Sequence, residues 1–185
     1  SSPDLGAYEN ALAESPYPKQ VKNVTATIGS QSVSLFWDAN SETDIEKYLI
    51  YMSETSGFEP TSEDSIGESA TSSFSATGLT NNTEYHFQVA AVDSNGYRGS
   101  FSQEISAIPE YKGPVWWVDD VNGQDKCDGS PESPCPHLSY IFPIMANGDT
   151  IRMIAGDYGP GYNLSGNINE WGNNLQELTI IGNTG

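Results

Sequence analysis

The sequence predicts an all-β protein in two parts, and three observations predict it. Short segments alternate apolar and polar residues at period two, the pattern of a strand with one buried face. Turn residues such as Asn81-Asn82 and Asp93-Ser94-Asn95-Gly96 punctuate those segments, because Asn, Asp and Gly accept the backbone angles of tight turns. The composition then shifts after a short linker at 110–114, toward a segment with paired tryptophans and both cysteines of the chain.

Length and charge bound the rest. The chain has 185 residues, enough for one large domain or two small ones. Its formal net charge is -18, with Lys+Arg only 7 against Asp+Glu 25. Such a surface repels nucleic acid and anionic membranes, so neither is an expected partner. It suits cation binding or simple solubility. Hydrophobic residues at 36% and aromatics at 11% argue against disorder. No apolar run approaches the length of a membrane span. No signal peptide or initial Met is seen, so the chain reads as an excised or processed piece.

Residues 1–19 read as a tail and linker, with Pro16 and Pro18 among polar residues. Val24, Ala26 and Ile28 alternate as a first strand, and Val33, Leu35 and Trp37 as a second, Trp37 being the expected core anchor. Tyr48, Ile50 and Met52 form one face of a third, with Leu49 and Tyr51 on the other. Residues 57–68 read as acidic and irregular. Phe74 and Ala76 mark a short strand. Tyr85, Phe87, Val89 and Ala91 alternate along the next, which puts His86 on the opposite, surface side. Phe101, Ile105 and Ala107 supply the last strand, ended by Pro109. About seven short strands in roughly 90 residues is the rhythm of an immunoglobulin-like sandwich.

Leu79 lies six residues before Tyr85, so Leu79 can plug one end of the core while the Tyr85 hydroxyl folds back onto the preceding corner, a tyrosine corner. Gly78-Leu79, Thr83-Glu84-Tyr85 and Val89-Ala90-Ala91-Val92-Asp93 closely resemble strand F of a fibronectin type III domain. With Trp37 and Tyr48, the resemblance covers residues 20–109.

In residues 115–185, Val115-Trp116-Trp117-Val118-Asp119 reads as a strand, followed by a turn-rich loop. Leu138, Ile141, Phe142 and Met145 recur at helical spacing, limited by Pro143. Ile151-Arg152-Met153-Ile154 and Leu178-Thr179-Ile180-Ile181 read as two further strands. The order of strand, Asn122-Gly123-Gln124-Asp125 loop, Ser-Pro pair, short helix, Gly148-Asp149-Thr150-Ile151 and Ala155-Gly156 resembles the start of a bacterial secreted right-handed parallel β-helix. That resemblance implies that the helix caps the first coil. It also implies that the chain continues past Gly185, since solenoid coils bury their core against neighbours. Asp4-Leu5-Gly6-Ala7-Tyr8-Glu9 resembles the closing motif of the same proteins.

Several constellations could carry chemistry. Cys127 and Cys135 share one loop, and a secreted setting implies a disulfide between them. The alternative is a metal site, but only His137 lies nearby and zinc takes four ligands. Asp120, Asn122, Asp125 and Asp128 place oxygens closely around Gly123, as calcium loops do, though not in the register of an EF-hand. The other reading is a turn whose Asp and Asn side chains bond their own backbone. Tyr97-Arg98-Gly99-Ser100 falls on the loop before the last sandwich strand. Integrin-binding modules carry Arg-Gly-Asp there, and Ser100 in place of the Asp removes the metal-coordinating carboxylate. Trp116, Trp117, Tyr158, Tyr162 and Trp171 could stack on sugars or lie buried under the cap. Asn23, Asn81 and Asn163 begin glycosylation sequons. His86 and His137 have no Ser or Cys partner in a recognisable motif, and no catalytic set emerges.

The expected protein is a non-catalytic segment of a secreted, multidomain surface protein. It would act as spacer, adhesion or carbohydrate-binding module, with other domains or chains of the same protein, or an extracellular polysaccharide, as partners. Calcium is the one candidate cofactor. The alternatives are an accessory portion of a β-helix polysaccharide lyase or glycoside hydrolase, and a structural subunit of an extracellular fibre.

Overall fold

A computed structural model describes residues 16–154 and the strand at 179–182. It divides into two units, one up to Pro109 and one from Glu110. The motif at Asp4–Glu9, Asn163, Tyr158, Tyr162, Trp171 and Leu178 lie outside the described residues.

The first unit consists of two antiparallel sheets. One holds β1 (Thr25–Gly29), β2 (Ser32–Phe36) and β5 (Ser73–Thr77) in the order β1-β2-β5. The other holds β3 (Ile45–Ser53), β4 (Ser65–Ser69), β6 (Tyr85–Asp93) and β7 (Ile105–Ala107) in the order β4-β3-β6-β7. Inward side chains from both sheets share one core. It contains Val33, Leu35, Trp37, Tyr48, Ile50, Leu79, Tyr85, Phe87 and Val89. Trp37 and Tyr48 meet edge to face at 5.2 Å, the arrangement that ring quadrupoles favour. Two tyrosine hydroxyls tie loops to this core. Tyr85 Oη accepts from the Thr80 backbone N–H at 3.0 Å, and Tyr48 Oη accepts from that of Asn40 at 3.0 Å. The first of these is the tyrosine corner that the Leu79–Tyr85 spacing predicts.

Three expectations are corrected in this unit. The acidic stretch at 57–68 was expected to be irregular, but its end forms edge strand β4, paired to Tyr48–Tyr51 of β3. Its only large apolar residue is Ile66, so its pattern is silent and pairing alone makes it a strand. Phe101 was expected in the last strand, but β7 spans only Ile105–Ala107. Around Phe101 the chain touches β6 intermittently, through Gly99 N–H to Ala91 and Ser102 N–H to Val89. Phe101 lies instead against Tyr51, edge to face at 5.1 Å. His86, expected on the surface, is only 7% exposed, and every residue of β6 is buried. Period two separates the faces of a strand but does not say that one face is wet.

The second unit is a parallel sheet in the order β10-β9-β8, from β8 (Val115–Val118), β9 (Thr150–Met153) and β10 (Thr179–Gly182). Val115, Thr150 and Thr179 stand in one register, as do Trp116, Ile151 and Ile180. The predicted helix shrinks to one turn, α1 (Leu138–Ile141), because Pro143 follows it. Looser turns continue its pattern, and Leu138, Ile141, Phe142 and Met145 still pack with Trp116, Val118 and Ile151. Trp116 is held on both sides by backbone. A Cβ on Gly113 or Gly129 would come within 2.9 or 2.8 Å of its ring, and both glycines have positive φ, +71° and +76°. Only Gly combines that approach with those angles. The buried indole N–H donates to Asp149 Oδ2 at 2.7 Å.

Candidate functional site

Cys127 and Cys135 are joined by a disulfide with Cα atoms 5.0 Å apart. Cys135 is at the same time part of the sheet. Its N–H donates to the Trp117 carbonyl and its carbonyl accepts from Asp119 N–H, so the bridge ties the long loop to the edge of β8.

The four residues considered for calcium are engaged separately. Asn122 Nδ2 donates to Asp119 Oδ2, Asp125 Oδ1 accepts from the Tyr140 hydroxyl, and Asp128 Oδ1 accepts from Ser130 N–H. Asp120 Oδ1 is buried without a hydrogen-bond partner in the protein. Among the described residues no three His, Cys, Asp or Glu side chains come together as a metal-holding group. The residue organising the turn is Asp119, which sequence reasoning did not single out. It is 4% exposed, and its Oδ1 accepts from the N–H groups of Val121 and Asn122. The Asn122 N–H, above all, holds its carboxyl below the usual carboxylate range, against the opposing effect of burial. An Asp followed by Asn-Gly was the available signal. The Tyr140 hydroxyl is pushed up by its bond to Asp125.

The buried side of β6 holds a polar cluster. His86 Nδ1 lies 3.1 Å from Glu104 Oε1, yet out of line for a hydrogen bond, so it has a charge beside it and no linear partner. Glu104 accepts from Gly57 N–H at 2.9 Å and from the Ser56 hydroxyl at 3.3 Å, while Gln88 Nε2 donates to the Phe58 carbonyl. These bonds fold the loop after β3 over the strand. No nucleophile faces the imidazole in these contacts.

The sequons at Asn23 and Asn81 sit in tight backbone. Asn23 has φ +54° and donates to Asp38. Asn81 accepts from Gln31 N–H and donates to Ser30. Of the tryptophan pair, Trp116 is buried and Trp117 is partly covered, with the Arg152 guanidinium 5.2 Å from its ring centre.

The last surface lies at the turn after β6. Asp93 Oδ1 accepts from Asn95 and Tyr97 N–H groups, closing the predicted Asp93–Gly96 turn. Beyond it, Arg98 extends over the Phe101 ring, 4.0 Å from its centre. Tyr17 and Tyr97, both about half exposed, meet edge to face at 5.4 Å. Gln20 Nε2 donates to the Phe101 carbonyl at 2.7 Å. These residues border a groove of about 640 Å³.

Comparison with known proteins agrees with the first unit. Residues 18–108 match the model of the fibronectin type III domain. Similar solved structures include the FN5 domain of Drosophila Lar, 31% identical, covering 50% of this chain and 96% of that one with a TM-score of 0.40. A Fn3-like protein from Clostridium thermocellum is 26% identical, covering 51% and 91%, TM-score 0.39. Domains A168–A170 of titin are 20% identical, covering 50% of this chain, TM-score 0.44, and the chain spans only 32% of that length. No curated protein sequence matches. Domains of this kind are commonly non-catalytic spacer or binding modules of multidomain proteins. Residues 18–108 of this chain belong to the fibronectin type III family.

Proposed function

We propose that this chain is a non-catalytic segment of a secreted, multidomain surface protein, in which the sandwich is a spacer. One observation carries the reading: the chain enters and leaves the sandwich at opposite ends. It enters beside the turn after β6, where Tyr17 meets Tyr97 and Gln20 bonds Phe101. It leaves beside the turn before β6, where the Pro109 carbonyl accepts from Asn82 N–H at 2.8 Å. The nine residues of β6 run between these ends, about 30 Å at ~3.3 Å per residue. A module threaded this way adds its full length between whatever precedes and follows it.

In this reading the second unit begins a right-handed parallel β-helix. The common register of β8, β9 and β10 and the packing of α1 against Trp116 and Ile151 support it. The disulfide suits a secreted setting.

Force spectroscopy on the whole chain, with handles at residues 16 and 110, tests the spacer role. A self-contained sandwich pulled by opposite ends ruptures once. At ~3.6 Å per freed residue, less its folded length, the contour gain is roughly 300 Å. Gradual yielding without a rupture would overturn the reading, as would turnover of a polysaccharide by the chain.

A further inference from the structure

We propose that the groove at the turn after β6 binds an acidic polysaccharide, a chain of uronic-acid sugars, through Arg98 and Lys19 with Tyr17 and Tyr97. The inference goes beyond the spacer reading and stands apart from it, since a spacer without a ligand is still a spacer.

Charge complementarity picks out this surface. The chain carries 25 Asp and Glu against 7 Lys and Arg. The neighbouring grooves contain acids, Glu104 in one and Asp38 with Glu42 in another. The groove of about 640 Å³ has two cations, Lys19 and Arg98, and no carboxylate among its eight lining residues. Its size is that of a small-ligand cleft. Long-range repulsion by the remaining acids fades beyond about 8 Å at physiological salt, so a polyanion can approach a local cationic site.

The chemistry of the surface favours sugar over peptide. The Arg98 guanidinium is stacked on Phe101, which holds its plane and leaves the N–H edge available for bidentate contact with a carboxylate. Tyr17 and Tyr97 are 54% and 47% exposed and adjacent, offering ring faces for the C–H face of a pyranose and hydroxyls for its polar edge. The floor is fixed. Gly99 N–H donates to the Ala91 carbonyl, and Gly99 packs so close to the Pro18 carbonyl that a Cβ there would lie 2.4 Å from it. A flat, rigid, aromatic and cationic shelf suits repeating charged rings. It lacks the deep apolar hole that would seat a peptide side chain.

Titration calorimetry on the whole chain at 150 mM salt tests this with three probes: a galacturonate octamer, a neutral glucose octamer and a glutamate octapeptide. The expected result is binding of the galacturonate octamer alone, weakened at least 10-fold by Arg98→Gln and by Tyr97→Ala, and unchanged by Lys47→Gln on β3. The substituted side chains are exposed or half exposed, and hydrogen exchange of β6 amides verifies that each variant is folded. No binding of the galacturonate octamer overturns the proposal. Equal binding by the Arg98 and Tyr97 variants does so too, as does equal or tighter binding of the glutamate octapeptide, which would assign the shelf to acidic peptides.

Discussion

Replacing Tyr85 by Phe deletes one oxygen and leaves the ring, which is 5% exposed, in place among Leu79, Trp37 and Val89. That oxygen accepts from Thr80 N–H at 3.0 Å. A typical intramolecular hydrogen bond contributes about 0.5–1.5 kcal/mol net, while a donor left buried and unpaired costs about 1–3 kcal/mol. Thr80 is exposed, so water can reach its N–H once the hydroxyl is gone. The loss therefore falls at the lower figure, about 1 kcal/mol, or about 4–8 °C in the Tm of a domain this size. Tyr85→Ala also removes the buried ring and should cost ~3–5 kcal/mol, as large aromatic truncations do. Native-state hydrogen exchange at the Val89 and Ala90 amides reads both losses. These amides lie mid-strand and exchange through global opening of the sandwich, independently of the second unit. A Tyr85→Phe variant as stable as the parent would refute the corner bond. A loss equal to that of Tyr85→Ala would show that the hydroxyl organises the ring packing rather than one loop.

Four further outcomes are expected. Reducing Cys127–Cys135, which are 8 residues apart, should cost the second unit about 2.5 kcal/mol on the chain-entropy estimate and leave the sandwich unchanged; denaturant midpoints with and without reductant decide it. Asp149→Ala leaves the Trp116 indole and Ala146 N–H groups without their acceptor, at about 1–3 kcal/mol for each buried donor, with a red shift in tryptophan emission that Asp149→Asn should partly avoid. Asp119 has a folded pKa below its unfolded value, so its stabilisation is present above about pH 4 and is lost as pH falls through the folded pKa; Asp119→Asn should flatten that acid limb, and an unchanged pH profile would remove the turn carboxylate from the account. Calcium at Asp120, Asn122, Asp125 and Asp128 remains a separate proposal: binding to the native state raises Tm in calcium over chelator, and equal Tm values reject it.

The sequence by itself determined the sandwich core. Inward residues on strands are written in the chain at period two, and the Leu79–Tyr85 interval encodes a corner because a tyrosine can reach back only so far. It likewise marked the change of composition at 110–114 and the four apolar positions around α1. Other features arise only where distant segments meet. Edge strand β4 exists because β3 offers it unpaired backbone, since its own pattern holds one large apolar residue. His86 is buried because Glu104, the loop after β3 and the bulging chain at Phe101 cover the outer face of β6, and none of these is local to it. The helix stopped after one turn at Pro143, yet its apolar residues kept their places because burial against Trp116 and Ile151 does not require helical hydrogen bonds. The cationic shelf is tertiary as well. Lys19 and Arg98 are 79 positions apart in the sequence, and only the return of β6 to the point where the chain enters sets them on one groove.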